Sequence, residues 1–316
     1  MNDLCRLLDI QYPIIQGGMG NISHPKLTAA VSNAGGLGTL GVGTLDPDEV
    51  ERRIIETKKQ TNLPFSVNVP ISVNEFPKEM LQLVLNHKVP VVTLSAGNPA
   101  PFIPKLHEHG VKVLVVVGNV RQAVKASEAG ADAIIGEGYE AAGINSPQEL
   151  TTLTLIPQLL DAVEVPVVAA GGISNGRSLA AMLTLGAQGV QMGTRFVATQ
   201  DAPFSDIYKQ KIVEAQDDAT VILGRKVGRV RRVLKSPFAE KMLEKEKEQL
   251  TAEEWASLTS ETYHLKGAME GNEVEGFMNS GQIASLIKDL PTVQELLNSM
   301  MNELKEATSL LNKIVD

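Results

Sequence analysis

The sequence has one cysteine, few aromatics (Phe 7, Tyr 4, Trp 1) and no excess of positive charge. Cys5 alone cannot form an internal disulfide, so a reducing, cytoplasmic setting is the expectation. It precedes the first strand with no histidine nearby to lower its pKa, and it reads as inert. A formal charge of −8 argues against a nucleic-acid binder, which needs a basic surface. Apolar runs such as 113–117 fall far short of the roughly 20 residues that cross a bilayer. The start, Met1-Asn-Asp-Leu, lacks the basic region and apolar stretch of a signal peptide. What is abundant is glycine, 27 in 316 residues, in a chain long enough for one large domain with an appendage.

Short β-branched runs recur at 12–16, 37–41, 64–69, 89–95, 111–117, 131–136, 166–170 and 187–192. Several are apolar throughout (KVLVVV, VPVVAA), as strands buried on both faces of a parallel sheet must be. Helix signals separate them. Asp46-Pro47-Asp48-Glu49 offers an N-cap, a proline at the first helical position and an acid behind it, and Ser146-Pro147-Gln148-Glu149 repeats the arrangement. Gly110, Gly130 and Gly186 fall where helices need left-handed C-caps. Eight strands alternating with helices predict an α/β protein, a (β/α)8 TIM barrel. After Phe196 the rhythm breaks, and a charged stretch at 236–262 carries a capping box at Thr251 and Glu254. The expected division is a barrel over 1–200 and 276–316 with a helical lid inserted at 201–275. The terminal apolar positions 293, 297, 300, 304, 307, 311 and 314 step as heptads. They fit a helix packed on the barrel, with a homodimer seam as the alternative.

About half of the glycines lie just past expected strands: Gly17, Gly18, Gly20, Gly41, Gly43, Gly97, Gly118, Gly136, Gly138, Gly143, Gly171, Gly172, Gly176 and Gly193. In a barrel these belong to the C-terminal face, where sites are built. Ala169-Ala170-Gly171-Gly172 after the seventh run and Gln191-Met-Gly193-Thr194 after the eighth occupy the usual phosphate site of this fold. A phosphate fits a sugar phosphate, pyridoxal phosphate or a flavin. Pyridoxal chemistry wants a lysine at a strand end, and none of the eight ends carries one. A flavin wants polar groups at its pyrimidine edge, and Gln16, Asn68, Glu137 and Gln191 are placed to supply them.

With these motifs in place, the sequence resembles the nitronate monooxygenase family (formerly 2-nitropropane dioxygenases) and its relative, the FMN-dependent enoyl-acyl carrier protein reductase. The resemblance rests on Tyr12-Pro-Ile-Ile-Gln-Gly-Gly-Met, Ala34-Gly-Gly-Leu-Gly, Pro64-Phe-Ser-Val-Asn, Ala96-Gly-Asn-Pro, Glu137-Gly-Tyr-Glu-Ala-Ala-Gly, Ala169-Ala-Gly-Gly-Ile and Gly189-Val-Gln-Met-Gly-Thr-Arg-Phe. Gly228-Arg-Val-Arg-Arg and Ser280-Gly-Gln-Ile-Ala extend it. It implies an FMN barrel that passes electrons from a substrate, or from NADH or NADPH, to oxygen or another acceptor. By position, Gly17, Gly18 and Met19 would contact the flavin ring. Asn68, Ser95, Glu137 and Gln191 would hold its polar atoms, and Gly143, Ala170, Gly171, Gly172, Gly193 and Thr194 its ribityl and phosphate groups.

One departure bears on the reaction. The family usually follows Glu-Ala-Gly-Gly with a histidine, whereas Ile144 stands at that place here. Isoleucine neither transfers a proton nor donates a hydrogen bond. His24, Tyr139 and Asn145 are the candidates to compensate, and His264 lies in the lid segment. The basic run Arg225, Lys226, Arg229, Arg231, Arg232 and Lys235 has no interleaved aromatics and does not read as a nucleic-acid site. The expectation is oxidation of a nitronate or similar small anion by oxygen, for which no protein base is needed. NAD(P)H-dependent reduction of an enoyl thioester, with an acyl carrier as partner, and a non-redox phosphate-binding barrel are the alternatives.

Overall fold

Apolar runs that need cover on both faces pair side by side and wrap themselves in their own crossover helices. The structure, a computed structural model, describes residues 2–248 and 250–315, of 314 and 315 the backbone alone. Its strands in chain order are β1 (Ile14–Gln16), β2 (Gly38–Gly41), β3 (Phe65–Pro70), β4 (Val91–Ser95), β5 (Lys112–Val117), β6 (Ala133–Glu137), β7 (Gly143–Ile144), β8 (Val167–Ala170), β9 (Gly189–Met192), β10 (Thr220–Leu223) and β11 (Arg231–Leu234). Eight form one parallel sheet in the order β1-β9-β8-β6-β5-β4-β3-β2. It closes on itself through a parallel bridge between Ile15 and Leu37. There Gln16 N–H donates to the Leu37 carbonyl and Leu37 N–H to that of Ile14, both at 2.9 Å. The fold is the expected (β/α)8 barrel, and each expected run is one of its strands.

The helix Asp3–Leu8 plugs the N-terminal end of the barrel. Leu4, Cys5 and Leu8 join Ile15, Leu37, Val91, Leu114, Ile135 and Val168 in an interior cluster. Any side chain at Gly189 would meet Leu4 Cδ2 at 2.5 Å, so this glycine makes room for the plug. Cys5 is buried, and burial pushes its thiol pKa up.

Three sequence expectations are corrected. Residues 201–275 are not wholly helical. β10 and β11 form an antiparallel pair (Val221 opposite Val233), which β7 joins through Arg231 opposite Ile144. All four residues of β11 are buried, arginines included, and that charge hid the strand pattern. The helices Asp206–Val213, Pro237–Lys245, Ala252–Leu258 and Glu261–Ala268 complete the segment. Its own apolar cluster gathers Leu223, Val233, Phe238, Met242, Trp255 and Phe277.

Next, Ser146–Pro147 starts no helix. The helix begins at Thr152, whose N–H donates to Glu140 Oε1 and Oε2 at 3.1 and 2.9 Å rather than to a cap from Thr151. Pairing of β7 with β11, extended by Asn145 N–H to the Val230 carbonyl at 2.9 Å, draws the chain into the small sheet. It then turns back through Glu149, whose φ is 52°. Finally, the heptad stripe of the helix Val293–Val315 is divided. Val293, Leu297 and Met300 are buried against the barrel, while Leu311 is exposed and the side chain of Ile314 lies outside the described residues.

Candidate active site

The C-terminal strand ends surround a cavity of about 1150 Å³. Gly17, Gly18 and Met19 reach it from the loop after β1, Asn68 from β3, Ser95 from β4 and Glu137 from β6. Gly143 comes from β7, Ala170, Gly171 and Gly172 from the end of β8, and Gln191, Gly193 and Thr194 from the end of β9. Every residue that the resemblance assigns to the cofactor therefore lines one space, and of the polar groups placed at the flavin edge only Gln16 is not among them.

The backbone needs glycine where the walls are tightest. Gly171 and Gly172 follow each other at φ 92° and 74°, a left-handed pair that β-carbon sterics disfavour. A β-carbon on Gly18 would lie 2.5 Å from Asn68 Oδ1. Asn68 is held there by its Nδ2, which donates to the Thr93 carbonyl and the Ser95 hydroxyl, both at 3.2 Å.

Three features fit a bound flavin nucleotide. Gln191 Oε1 is buried with no hydrogen-bond partner among the described residues, and a buried orphan of that kind calls for a donor from outside the chain. Space is open beside Gly193, where an added β-carbon meets nothing within 4 Å. Glu137 turns its carboxyl to the cavity, and burial raises its pKa to about 7, so near neutrality it is present both as donor and as acceptor.

The catalytic candidates fare differently. Asn145 lines the cavity, but its Nδ2 donates to the Ala141 and Gly143 carbonyls (3.1 and 2.8 Å), a loop-holding role. His24 does not line the cavity. It caps the helix Pro25–Asn33, its Nδ1 accepting from Lys26 N–H at 3.2 Å, because a helix start needs a partner for its free N–H groups. Tyr139 is likewise withdrawn. Its ring lies under the guanidinium of Arg232, 4.5 Å from its centroid, and its hydroxyl bonds Arg225. Gln16 points into the barrel wall, where its Oε1 accepts from Thr39 N–H at 3.3 Å.

The basic run is dispersed rather than gathered. Arg225 pairs with Glu149, and Lys235 with Asp218. Arg232 donates to the Tyr139 carbonyl, while Arg229 and Arg231 line the cavity. The small sheet and the helix after it also bring Glu261, His264 and Asn279 to the wall. Sequence reasoning missed Glu261 and Asn279 and left His264 without a place. The signal available was adjacency, since Asn279 directly precedes Ser280-Gly-Gln and Arg231 lies within Gly228-Arg-Val-Arg-Arg.

Glu261 is the ionised member of this group. Burial works to raise its pKa, but His264, Arg231 and the Asn21 N–H (3.1 Å) outweigh burial and hold it at about 2. It ties the helix Glu261–Ala268 to the loop after β1. Among the described residues no cluster of acidic, histidine or cysteine side chains is suited to a metal ion, and no helix is long and apolar enough to cross a membrane.

Comparison with known proteins gives consistent matches. The nitronate monooxygenase family model matches residues 2–80 and 71–303. A (3aS,4S,5R,7aS)-5-hydroxy-7a-methyl-1-oxo-octahydro-1H-indene-4-carboxyl-CoA dehydrogenase from Rhodococcus jostii is 33% identical, covering 94% of each chain. A probable nitronate monooxygenase from Staphylococcus saprophyticus is 32% identical, covering 97% of this chain and 98% of the relative. The structure of FabK from Thermotoga maritima superposes with a TM-score of 0.95 at 39% identity over 99% of both chains. Nitroalkane oxidase from Streptomyces ansochromogenes follows at 0.86 and 28%, covering 98% of this chain and 99% of the other.

Proposed function

The chain belongs to the nitronate monooxygenase family, whose members are flavoenzymes, and from that premise we propose an FMN-dependent oxidoreductase that oxidises a nitronate or similar small anion with oxygen. The observation that carries this reading is the cavity itself. It gathers the expected flavin-holding residues yet presents Ile144, 58% exposed, where the resemblance sets an acid–base histidine. A nitronate is already an anion, so its oxidation needs no proton removed by the protein.

In this reading Gly17, Gly18 and Met19 form the floor for the flavin ring, Asn68, Ser95, Glu137 and Gln191 bind its polar edge, and Gly143 with Ala170 flanks the ribityl chain. The left-handed Gly171–Gly172 turn, Gly193 and Thr194 take the phosphate. Thr194 is oriented for this because its hydroxyl accepts from Gly281 N–H at 2.9 Å. Bound FMN supplies a two-electron acceptor that can be reoxidised by oxygen. Residues 201–275 act as the lid, fastened by Glu261 to the loop after β1.

A second reading is NAD(P)H-dependent reduction of an enoyl thioester on an acyl carrier or coenzyme A. It is favoured by the near-complete superposition on FabK and by the CoA-thioester dehydrogenase relative. The flavoenzyme character of the family leaves the non-redox barrel without support.

One experiment separates the two. Purified protein should be yellow with a flavin spectrum and should consume oxygen with propyl-2-nitronate in the absence of nicotinamide. Anaerobic bleaching by NADH or NADPH, reversed by a crotonyl thioester without oxygen uptake on nitronate, would replace the first reading with the second.

A further inference from the structure

Of the cations that line the cavity among the described residues, Lys125 and Arg229 are exposed and Arg231 is buried. Arg231 opens β11 directly opposite Ile144 of β7. Residues paired across antiparallel strands send their side chains to the same face. The Arg231 side chain thus leaves β11 on the face of Ile144, the position where the resemblance sets the histidine. Arg231 is 9% exposed and lines the cavity.

A guanidinium carries five N–H donors, and little of this one is occupied. Among the described residues its hydrogen bonding is limited to Nη1 donating to Asn279 Oδ1 at 3.5 Å. Its centre lies 4.7 Å from the centroid of the Phe277 ring. Burying a cation costs several kcal/mol unless an anion answers it. Glu261 acts on Arg231 from a distance, but its carboxylate already accepts from Asn21 N–H and faces His264 Nδ1 at 3.6 Å.

The neighbours fix each other's polarity. Arg231 can only donate, so the Asn279 oxygen faces it and the Asn279 amide nitrogen faces His264 Nε2, 3.2 Å away. The same amide nitrogen also lies 3.4 Å from His264 Nδ1, and Nδ1 faces Glu261 at 3.6 Å. His264 is stacked on Phe277 at 5.3 Å and 4°. The chain Glu261, His264, Asn279, Arg231 thus ends on a guanidinium in the cavity wall whose other donors meet no hydrogen-bond partner among the described residues. Glu261 bonds the loop after β1, while Asn279 lies beside Gly143, where an added β-carbon would be 3.6 Å from the Asn279 Cγ, so the cluster spans the cavity wall between that loop and β7.

We propose that Arg231, oriented by Asn279 and Phe277, binds the negatively charged oxygen of the substrate in the place left by the missing imidazole. The class of ligand is a small oxyanion, and its identity as a nitronate rests on the function proposed above. Arginine holds the charge without moving a proton, so the site selects substrates that arrive as anions.

The test uses flavin-loaded protein and follows the visible spectrum of the bound flavin during titration with acetate and with acetamide. Wild type is expected to bind acetate at least about tenfold tighter than its neutral counterpart, the range for a charge-assisted hydrogen bond. Arg231→Gln should abolish that preference, and Arg231→Lys should keep part of it. With propyl-2-nitronate, Arg231→Gln should raise KM about tenfold or more and change kcat much less.

Equal affinity for acetate in wild type and Arg231→Gln overturns the proposal. So does an Arg231→Gln protein that loses FMN but not riboflavin affinity, which would assign the guanidinium to the cofactor phosphate. If Arg231→Gln does not fold, the wild-type comparison decides, since indifference to charge there is a refutation. Arg231-dependent preference for acetate without nitronate turnover would sink the nitronate reading alone. Nitronate turnover with an unchanged KM in Arg231→Gln would sink this proposal alone.

Discussion

Glu137 shows how one residue's surroundings set its chemistry. Burial raises its carboxyl from an ordinary 4.5 to about 7. Between those values the folded chain holds a proton that the unfolded chain has released. Stability present below about pH 4.5 is therefore lost as pH rises through 7. For flavin-free protein the loss should be on the order of 2 kcal/mol, less than the full shift implies because the carboxyl opens onto the cavity. Urea unfolding across pH 4.5–8 should show this slope in wild type and not in Glu137→Gln. Gly18 tests the other side of the cradle. Alanine there would press on Asn68 Oδ1 from 2.5 Å and on its Cβ from 2.8 Å, so Gly18→Ala should cut flavin affinity by at least about tenfold and cost about 1–3 kcal/mol of stability. Flavin retained through gel filtration measures the affinity. At this scale the sequence was enough to bring the glycines, Asn68 and Gln191 to one cavity, because strand ends of a barrel converge, but not to turn Gln16 away from it. It misplaced His24 and Tyr139, because nothing local distinguishes a helix cap or a ring under arginine from a group facing a cavity.

At the scale of elements, the terminal helix is fastened by close contact rather than by its full heptad stripe. An alanine β-carbon at Gly176 would lie 2.2 Å from the Met300 carbonyl. The Gly176 N–H donates to Glu303 Oε2 at 2.7 Å, so the terminal helix caps the helix Gly176–Thr184 from outside. Gly176→Ala should cost about 1–3 kcal/mol through overpacking, and Glu303→Ala about 1 kcal/mol through the lost cap. Denaturant midpoints at constant slope check both. The barrel strands were legible because their apolar pattern is continuous. β7 and β11 were not, since a two-residue strand carries no periodicity and buried arginines imitate a solvent-facing pattern. Ser146-Pro147 has the residues of a helix start, yet the pairing of β7 with β11 overrides them.

For the whole molecule, Glu261 ties the inserted segment to the barrel by accepting from Asn21 N–H. Its carboxyl is held at about 2, so its contribution is present above the unfolded value of 4.5 and is lost as pH falls toward 2. Glu261→Gln should destabilise the protein by on the order of 2 kcal/mol at pH 7, with the gap to wild type narrowing below about pH 4.5 and closing near pH 2. Trp255, the sole tryptophan, is buried in the cluster of the inserted segment. Its emission therefore reports that segment and should shift at lower denaturant in the variant, while far-UV dichroism of the barrel follows later. Coincident transitions in both proteins would remove the view that Glu261 fastens the lid.

The sequence alone was enough to set the barrel, the face onto which its glycine loops open and the turns that suit a phosphate, because strand periodicity and backbone sterics are local and repeat eight times. The tertiary structure alone decided which charged groups share the cavity. Arg231, Glu261, His264 and Asn279 lie up to 48 positions apart on a strand, a helix and a loop, and no short-range pattern links them. Their meeting depends on β11 pairing with β7, and that pairing sets a buried guanidinium beside Ile144.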